Sequence, residues 1–346
     1  MSIYDLTIDE LTDYFINNND KKYYATELFS WLYDKNKRIT SFDEATNLKK
    51  ETREKLKNDF VISNIEIVTV ESAKDVRKYL FKLNDNEHIE AVLMNHDYGN
   101  SLCISSQVGC NMGCKFCESG RRKKVRNLTT GEMVEQILKV EDESNLRISH
   151  VVIMGIGEPF DNYDNICNFI KIINHSKGLN IGARHITVST CGLVPKILEF
   201  SNFPYQVNLA ISLHAPNDEL RKEIMPIAKA YPLKDLMNAI KIYLEKTNRR
   251  VTFEYIMLNG VNDSIDNALE LANLLKGINA YVNLIPYNET EALQFKRSNP
   301  LTIAKFYDIL KKNNITVTIR REFGGTISAA CGQLRSKKED IWNRFI

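Results

Sequence analysis

From about residue 90 onward the chain alternates between two patterns. Short runs rich in Val, Ile and Leu predict strands at Leu102–Ser106, His150–Met154, His185–Thr190, Val207–Ser212, Val251–Leu258, Tyr281–Ile285 and Ile315–Arg320. Between them, apolar side chains recur at three- and four-residue spacing. That period predicts helices over 130–142, 163–175, 194–200, 233–246, 265–276 and 301–313. Thr129-Thr-Gly-Glu132 has the form of a capping box and starts the first of these helices. The alternation implies an α/β fold with a parallel sheet, and its six repeats imply a barrel or partial barrel.

Residues 1–90 follow another pattern. Thr7–Asn17, Tyr24–Tyr33 and Leu48–Leu56 carry helical periodicity, with Leu28, Trp31 and Leu32 as core positions. Val61–Val70 and Val76–Leu83 predict strands. The expected organisation is a small, mainly helical accessory domain over 1–90, a core over 91–335 and a tail over 336–346. The Lys, Asn and Tyr residues of the first unit fit a solvated cap and an RNA-docking module equally well.

Composition narrows the class. At 346 residues, 43% hydrophobic and 26% charged, the chain has the make-up of a globular protein. No apolar run reaches the roughly 18 residues of a transmembrane helix. Met1–Phe15 lacks the basic and apolar regions of a signal peptide. Both observations predict a cytoplasmic protein with no membrane partner. The net charge of +2 neither demands nor excludes nucleic acid, so any basic footprint is local. Seven cysteines, clustered rather than paired, argue for metal or redox use and against a disulfide scaffold.

The chemistry concentrates where the strands end. Cys110-Asn-Met-Gly-Cys114-Lys-Phe-Cys117 places three thiols in one loop after the first strand of the alternating region. Three close cysteines can hold three irons of a cubane and leave the fourth iron open to chemistry. The rival is a zinc site completed by Cys103 or a histidine, although no second C-x2-C or histidine pair follows downstream. Gly155-Ile-Gly157-Glu158-Pro159 follows the second strand, Ser189-Thr190 ends the third, Ser212-Leu-His214 ends the fourth, and Pro286-Tyr-Asn288 follows the sixth. In barrels of this kind, active sites form at those strand ends.

The cysteine spacing resembles that of the radical S-adenosylmethionine (SAM) superfamily, and Gly157-Glu158-Pro159 resembles its GEP element. The resemblance then narrows. Cys103-Ile-Ser-Ser-Gln-Val-Gly-Cys110, Arg126-Asn-Leu, Met154-Gly-Ile-Gly-Glu-Pro, Ser189-Thr-Cys-Gly, Ser212-Leu-His-Ala, Asn283-Leu-Ile-Pro and Ala329-Ala-Cys331-Gly-Gln-Leu334 occur in order. Together they resemble the RlmN/Cfr family of radical-SAM RNA adenine methyltransferases, from about Glu90 to Leu334. The resemblance implies a radical-SAM partial (β/α)6 barrel preceded by an accessory RNA-binding domain. It implies one [4Fe-4S] cluster on Cys110, Cys114 and Cys117. It implies SAM contacts at Gly157, Glu158, Ser189, Ser212, Leu213, His214 and Asn288.

The family's chemistry follows from a polarity problem. The adenine carbon C2 or C8 is not nucleophilic, and the methyl of SAM is an electrophile, so direct polar transfer fails. In the family mechanism a first SAM methylates a cysteine, here Cys331 by match. A second SAM supplies a 5′-deoxyadenosyl radical that takes hydrogen from that methyl group. The methylene radical adds to the adenine and forms a protein–RNA crosslink. Cys103 promotes release with a Cys103–Cys331 disulfide, and Glu90 matches the proton acceptor. The implied partners are 23S rRNA at the peptidyl-transferase region, tRNA next to the anticodon, and a low-potential donor such as flavodoxin or ferredoxin, with the enzyme a monomer. Trp31-Leu-Tyr and Arg320-Arg-Glu-Phe-Gly resemble the RlmN branch, which implies C2, with C8 as the alternative. A non-catalytic, zinc-stabilised RNA-binding protein is the rival from another class. Two departures stand out. Cys191 sits where relatives often carry serine, and Arg121-Arg-Lys-Lys124 is more cationic than usual, a clamp for phosphates or a solvated run. Cys167 is expected in the core.

Overall fold

The computed structural model describes residues 1–290 and 292–320. Cys331 and the tail over 336–346 lie outside the described residues. The first unit is helical: α1 (Ile8–Asn17), α2 (Tyr23–Tyr33) and α3 (Lys50–Asp59). α1 begins on a reciprocal cap in which the Glu10 N–H donates to the Thr7 hydroxyl and the Thr7 N–H donates to the Glu10 carboxylate. Leu11, Phe15, Leu28 and Leu32 are buried on one face, whereas Trp31 is only partly buried against that core.

Four antiparallel strands follow: β1 (Ile65–Ala73), β2 (Val76–Leu83), β3 (His88–His96) and β4 (Gly99–Cys103). β3 runs through residue 90. A two-residue ladder, β5 (Gln107–Val108) and β6 (Arg126–Asn127), brackets the cysteine loop. The remaining elements alternate: α4 (Thr130–Ser144), β7 (Ile148–Ile153), α5 (Tyr163–Asn174), β8 (Ile186–Thr190), α6 (Val194–Phe200), β9 (Asn208–Ser212), α7 (Asp218–Ile224), α8 (Leu233–Thr247), β10 (Val251–Met257), α9 (Ile265–Leu274), β11 (Ala280–Pro286), α10 (Pro300–Lys312) and β12 (Thr316–Ile319).

Among the described residues one sheet contains ten strands in the order β1-β2-β3-β4-β7-β8-β9-β10-β11-β12. From β4 to β12 every neighbouring pair is parallel. Six β–α units and a last strand thus form the expected partial barrel. The Thr129 capping box is present. The chain order brings successive strands side by side, so all parallel strands finish at the same edge. The helical unit is fastened to α4. The Gly131 N–H donates to the Asp5 carboxylate at 2.7 Å, Glu135 accepts from the Asn64 N–H at 2.9 Å, and Arg38 pairs with Glu141 at 2.9 Å.

Candidate active site

The strand ends enclose a cavity of about 370 Å³. The loop between β5 and β6 brings Cys110, Cys114 and Cys117 to its wall. Backbone bonds hold this loop from two sides. The Cys110 N–H donates to the Arg122 carbonyl, and the Lys115 N–H donates to the Ile224 carbonyl at the end of α7, both at 3.0 Å. Met112, Cys114 and Phe116 pack on Ile224, Met225 and Tyr287. Burial pushes the Cys110 thiol up to about 12 and also raises Cys114 and Cys117, with neighbouring thiol charge adding to the rise at each of the first two. Three thiolates in so dry a place need a positive counterpart. Among the described residues no group of three or more His, Cys, Asp or Glu side chains could hold a single metal ion. Three thiols lining one cavity suit the three-cysteine ligation of an iron–sulfur cluster.

Glu158 lines the same cavity. Its carboxylate is 3% exposed and accepts from the Phe160 N–H at 3.0 Å and the Cys191 N–H at 2.8 Å. Burial raises its proton affinity and those two bonds offset part of the rise. A cofactor ammonium would complete the compensation. The loop before it must run close to β4. A side chain on Gly157, at φ +114°, would stand 2.7 Å from the Gln107 Cβ, and one on Gly155 would stand 2.5 Å from the Ile104 carbonyl oxygen.

Ser189 ends β8 and Ser212 ends β9, with their hydroxyls 3.4 Å apart on the cavity wall. His214 follows in the left-handed region at φ +59°. Its Nδ1 accepts from the Ile256 N–H at 3.1 Å, and its ring meets Phe116 edge-on. Burial, and then the Arg221 charge, pushes its pKa down to about 3. The neutral imidazole therefore carries its proton on Nε2. Asn288, exposed, lines the rim beyond β11.

The predicted residues do not all meet there. Leu213 is buried beneath the wall, its N–H donating to the Glu254 carbonyl and its carbonyl accepting from Arg221. Cys103 lines the cavity at the end of β4. Glu90 lies behind the lining rather than in it. It is not an exposed strand carboxylate: it is 2% exposed and paired with Lys78 at 3.0 Å. Cys167 is partly exposed on α5 rather than a core residue. Cys191 is buried beside Cys114, and burial raises its thiol well above the usual range. In the basic run, Arg121 pairs with Glu118 and Lys124 with Asp161. These two cations are partly neutralised within the chain.

Three buried charges have no counterpart in the sequence reading. Arg221 on α7 is fully buried and donates to the carbonyls of Leu213, Cys191 and Ser212, tying the ends of β8 and β9 together; its Nη1 finds no partner among the described residues. Glu254 lines the cavity and accepts from the Asn283 amide at 2.8 Å. Lys78 is the third. Only Glu254 carried a sequence signal, a charge inside an otherwise apolar strand, Val251-Thr-Phe-Glu254-Tyr.

Comparisons with known proteins agree with this geometry. Residues 104–272 match the family described as Radical SAM superfamily, and residues 1–62 match the Ribosomal RNA large subunit methyltransferase N-terminal domain. The chain is 56% identical to a probable dual-specificity RNA methyltransferase RlmN of Listeria welshimeri, covering 97% of this chain and 94% of that one. It is 53% identical to a protein of the same name from Spiroplasma citri, covering 98% and 99%. A crystal structure of a radical SAM methyltransferase from Sphaerobacter thermophilus superposes with a TM-score of 0.90 at 42% identity, over 96% of this chain and 98% of that one.

Proposed function

Because the chain belongs to the RlmN family of radical-SAM RNA methyltransferases, we propose that it places a methyl group on C2 of an adenine in 23S rRNA, and in tRNA next to the anticodon, through a methyl-cysteine on Cys331. The observation that carries this reading is the shared cavity: the three-thiol loop, the Glu158 carboxylate and the Cys103 thiol line one cavity. Cys110, Cys114 and Cys117 would hold one [4Fe-4S] cluster, and Glu158 would take the SAM ammonium. The cluster, when bound, supplies the electron that cleaves SAM to a carbon radical.

The chain's own residues do the rest. Ser189, Ser212, Asn288 and the Nε2–H of His214 provide neutral polar contacts for the sugar, base and carboxylate of SAM. Gly157 lets the backbone come close to it. Cys331 carries the methyl group and then the covalent bond to the adenine. Cys103 resolves that bond by forming a disulfide with Cys331, and Glu90 accepts the proton lost from the ring. Two SAM molecules are consumed per turnover, and a flavodoxin or ferredoxin supplies the electron. Residues 1–90 serve as the accessory RNA-binding unit, residues 91–335 as the catalytic core, and the enzyme works as a cytoplasmic monomer. Among the described residues no helix is long and apolar enough to cross a membrane.

Mass spectrometry of rRNA and tRNA from cells lacking the gene tests this. The expected result is loss of a methyl group from C2 of adenine in both RNAs. Loss from C8 would replace the C2 assignment. Loss from rRNA alone would remove tRNA as a substrate. No change in either RNA would refute the reading. Anaerobically purified protein should carry about four irons and four sulfides per chain; a colourless zinc protein would sink it.

A further inference from the structure

The Lys78–Glu90 ion pair is 0% and 2% exposed, with Nζ 3.0 Å from Oε2. A pair so far from water is poor value as a stabilising device. Its desolvation cost is comparable to its Coulomb gain, and apolar replacements of such pairs are often neutral or stabilising. A buried, paired carboxylate beside a reaction cavity is better explained by chemistry.

The register shows which chemistry. Lys78 of β2 stands opposite Val92 of β3, and Val92 stands opposite Cys103 of β4. Directly opposed residues in antiparallel strands share a face. Val76, Val92, Met94 and Cys103 line the cavity, so that face points inward. Lys78 therefore lies in the same cross-strand row as Cys103. Glu90, two residues before Val92 on β3, lies on that face as well. The Ser105 hydroxyl donates to the Glu90 carbonyl at 2.6 Å and pins the strand there. The charges around the Cys103 thiol are Arg320, Lys78 and Glu90, drawn from β2, β3 and the end of β12.

We propose that Lys78 is a positioning residue of the methyl transfer: its buried ammonium, 3.0 Å from the carboxylate, fixes where Glu90 stands to accept the adenine proton beside Cys103. This rests on the reading of the function given above. In that step the ring radical left by the addition first gives up one electron, for which the oxidised cluster would be the acceptor; the C–H bond at the attacked adenine carbon then breaks and its electron pair restores the ring. The proton passes to a Glu90 oxygen, and Lys78 keeps all three of its protons. Without the ammonium, the carboxylate loses its 3.0 Å contact to Nζ, and a misplaced base takes the proton more slowly.

The test uses the full-length, cluster-loaded enzyme with SAM, reductant and RNA, and compares Lys78→Met, Lys78→Arg, Glu90→Gln and Cys103→Ala. Methylation of Cys331 is read by protein mass and the protein–RNA adduct by denaturing gel. Lys78→Met should methylate Cys331 as the wild type does, yet accumulate adduct as Glu90→Gln does. Release should slow by about a hundredfold at pH 7. Lys78→Arg should restore most of the release. Wild-type release in Lys78→Met overturns the proposal. So does an Arg variant no better than Met. Lys78→Met combined with Glu90→Leu removes both charges of the pair and covers a single variant that does not fold. It should melt no lower than wild type and still accumulate adduct; wild-type release in it also overturns the proposal. If Cys103→Ala traps no adduct, the methyl-cysteine reading falls and takes this proposal with it. Adduct in Cys103→Ala with none in Lys78→Met or the double variant defeats this proposal alone.

Discussion

Glu135 is where the helical unit depends most directly on pH. The side chain projects from α4, is 1% exposed, and accepts from the Asn64 N–H and the Ser63 hydroxyl. Burial pushes its pKa up from 4.5 to about 7, against those hydrogen bonds. At about 1.4 kcal/mol for each tenfold change in proton affinity, the folded state favours the neutral carboxyl by about 3 kcal/mol. A raised carboxyl pKa means that the folded state binds the proton more tightly than the unfolded chain. Its contribution to stability is therefore complete below pH 4.5 and is lost as pH rises through about 7. Glu135→Gln mimics the neutral form at every pH. Unfolding entropy is about 2.1 cal/mol/K per residue, or about 0.7 kcal/mol/K for this chain, so the variant should melt about 4 °C higher at pH 8. It should match wild type near pH 4.5. Melting curves followed by circular dichroism between pH 4.5 and 8 measure this directly. Parallel wild-type and variant profiles, or a variant that melts lower at pH 8, would refute the reasoning.

Three further outcomes follow from the site. Glu158→Gln removes the charge proposed to face the SAM ammonium; a hydrogen bond to a charged group is worth about 1.5–3 kcal/mol, so SAM affinity measured by equilibrium dialysis should fall about 10- to 100-fold, and a change within twofold would exclude the contact. Gly157→Ala combines a left-handed φ of +114° with a 2.7 Å approach to Gln107, and should cost at least about 1–3 kcal/mol in denaturant unfolding; an unchanged midpoint would show that the loop relaxes freely. Arg221→Met strips donors from the carbonyls of Leu213, Cys191 and Ser212, at about 1–3 kcal/mol for each buried group left unsatisfied, and should lower both the melting temperature and SAM affinity; if only the melting temperature falls, the residue does not shape the cofactor site.

Much of the fold could be read along the chain because its signals are local. The parallel strands and their helices announced themselves by period. Besides the two-residue strands β5 and β6, two elements escaped. β3, His88–His96, straddles the position where the composition changes, and its mixture of His, Glu and Asn hides the alternation. α7 is seven residues long, Asp-Glu-Leu-Arg-Lys-Glu-Ile, too short and too polar to show a period. Its loss mattered, because it carries Arg221 and anchors the cysteine loop. The cavity residues Cys110, Cys114, Cys117, Gly157, Glu158, Ser189, Ser212 and His214 were legible because parallel topology sends every strand end to one edge. Leu213 and Glu90 were legible as positions but not as surroundings.

The sequence by itself determined the alternation of strands and helices, the spacing of the three thiols and the glycines that let two loops approach each other. These depend on neighbours a few residues apart, and covalent geometry and local sterics set them. Only the tertiary structure decided which charges are hidden. Lys78 meets Glu90 because a hairpin fixes the register of β2 on β3. Arg221 reaches three carbonyls because α7 folds back under β8 and β9. Lys124 meets Asp161 across 37 residues instead of pointing to solvent. A side chain's period tells which neighbours share its face, but whether that face meets water, a cavity or an opposite charge depends on chain segments far away in sequence.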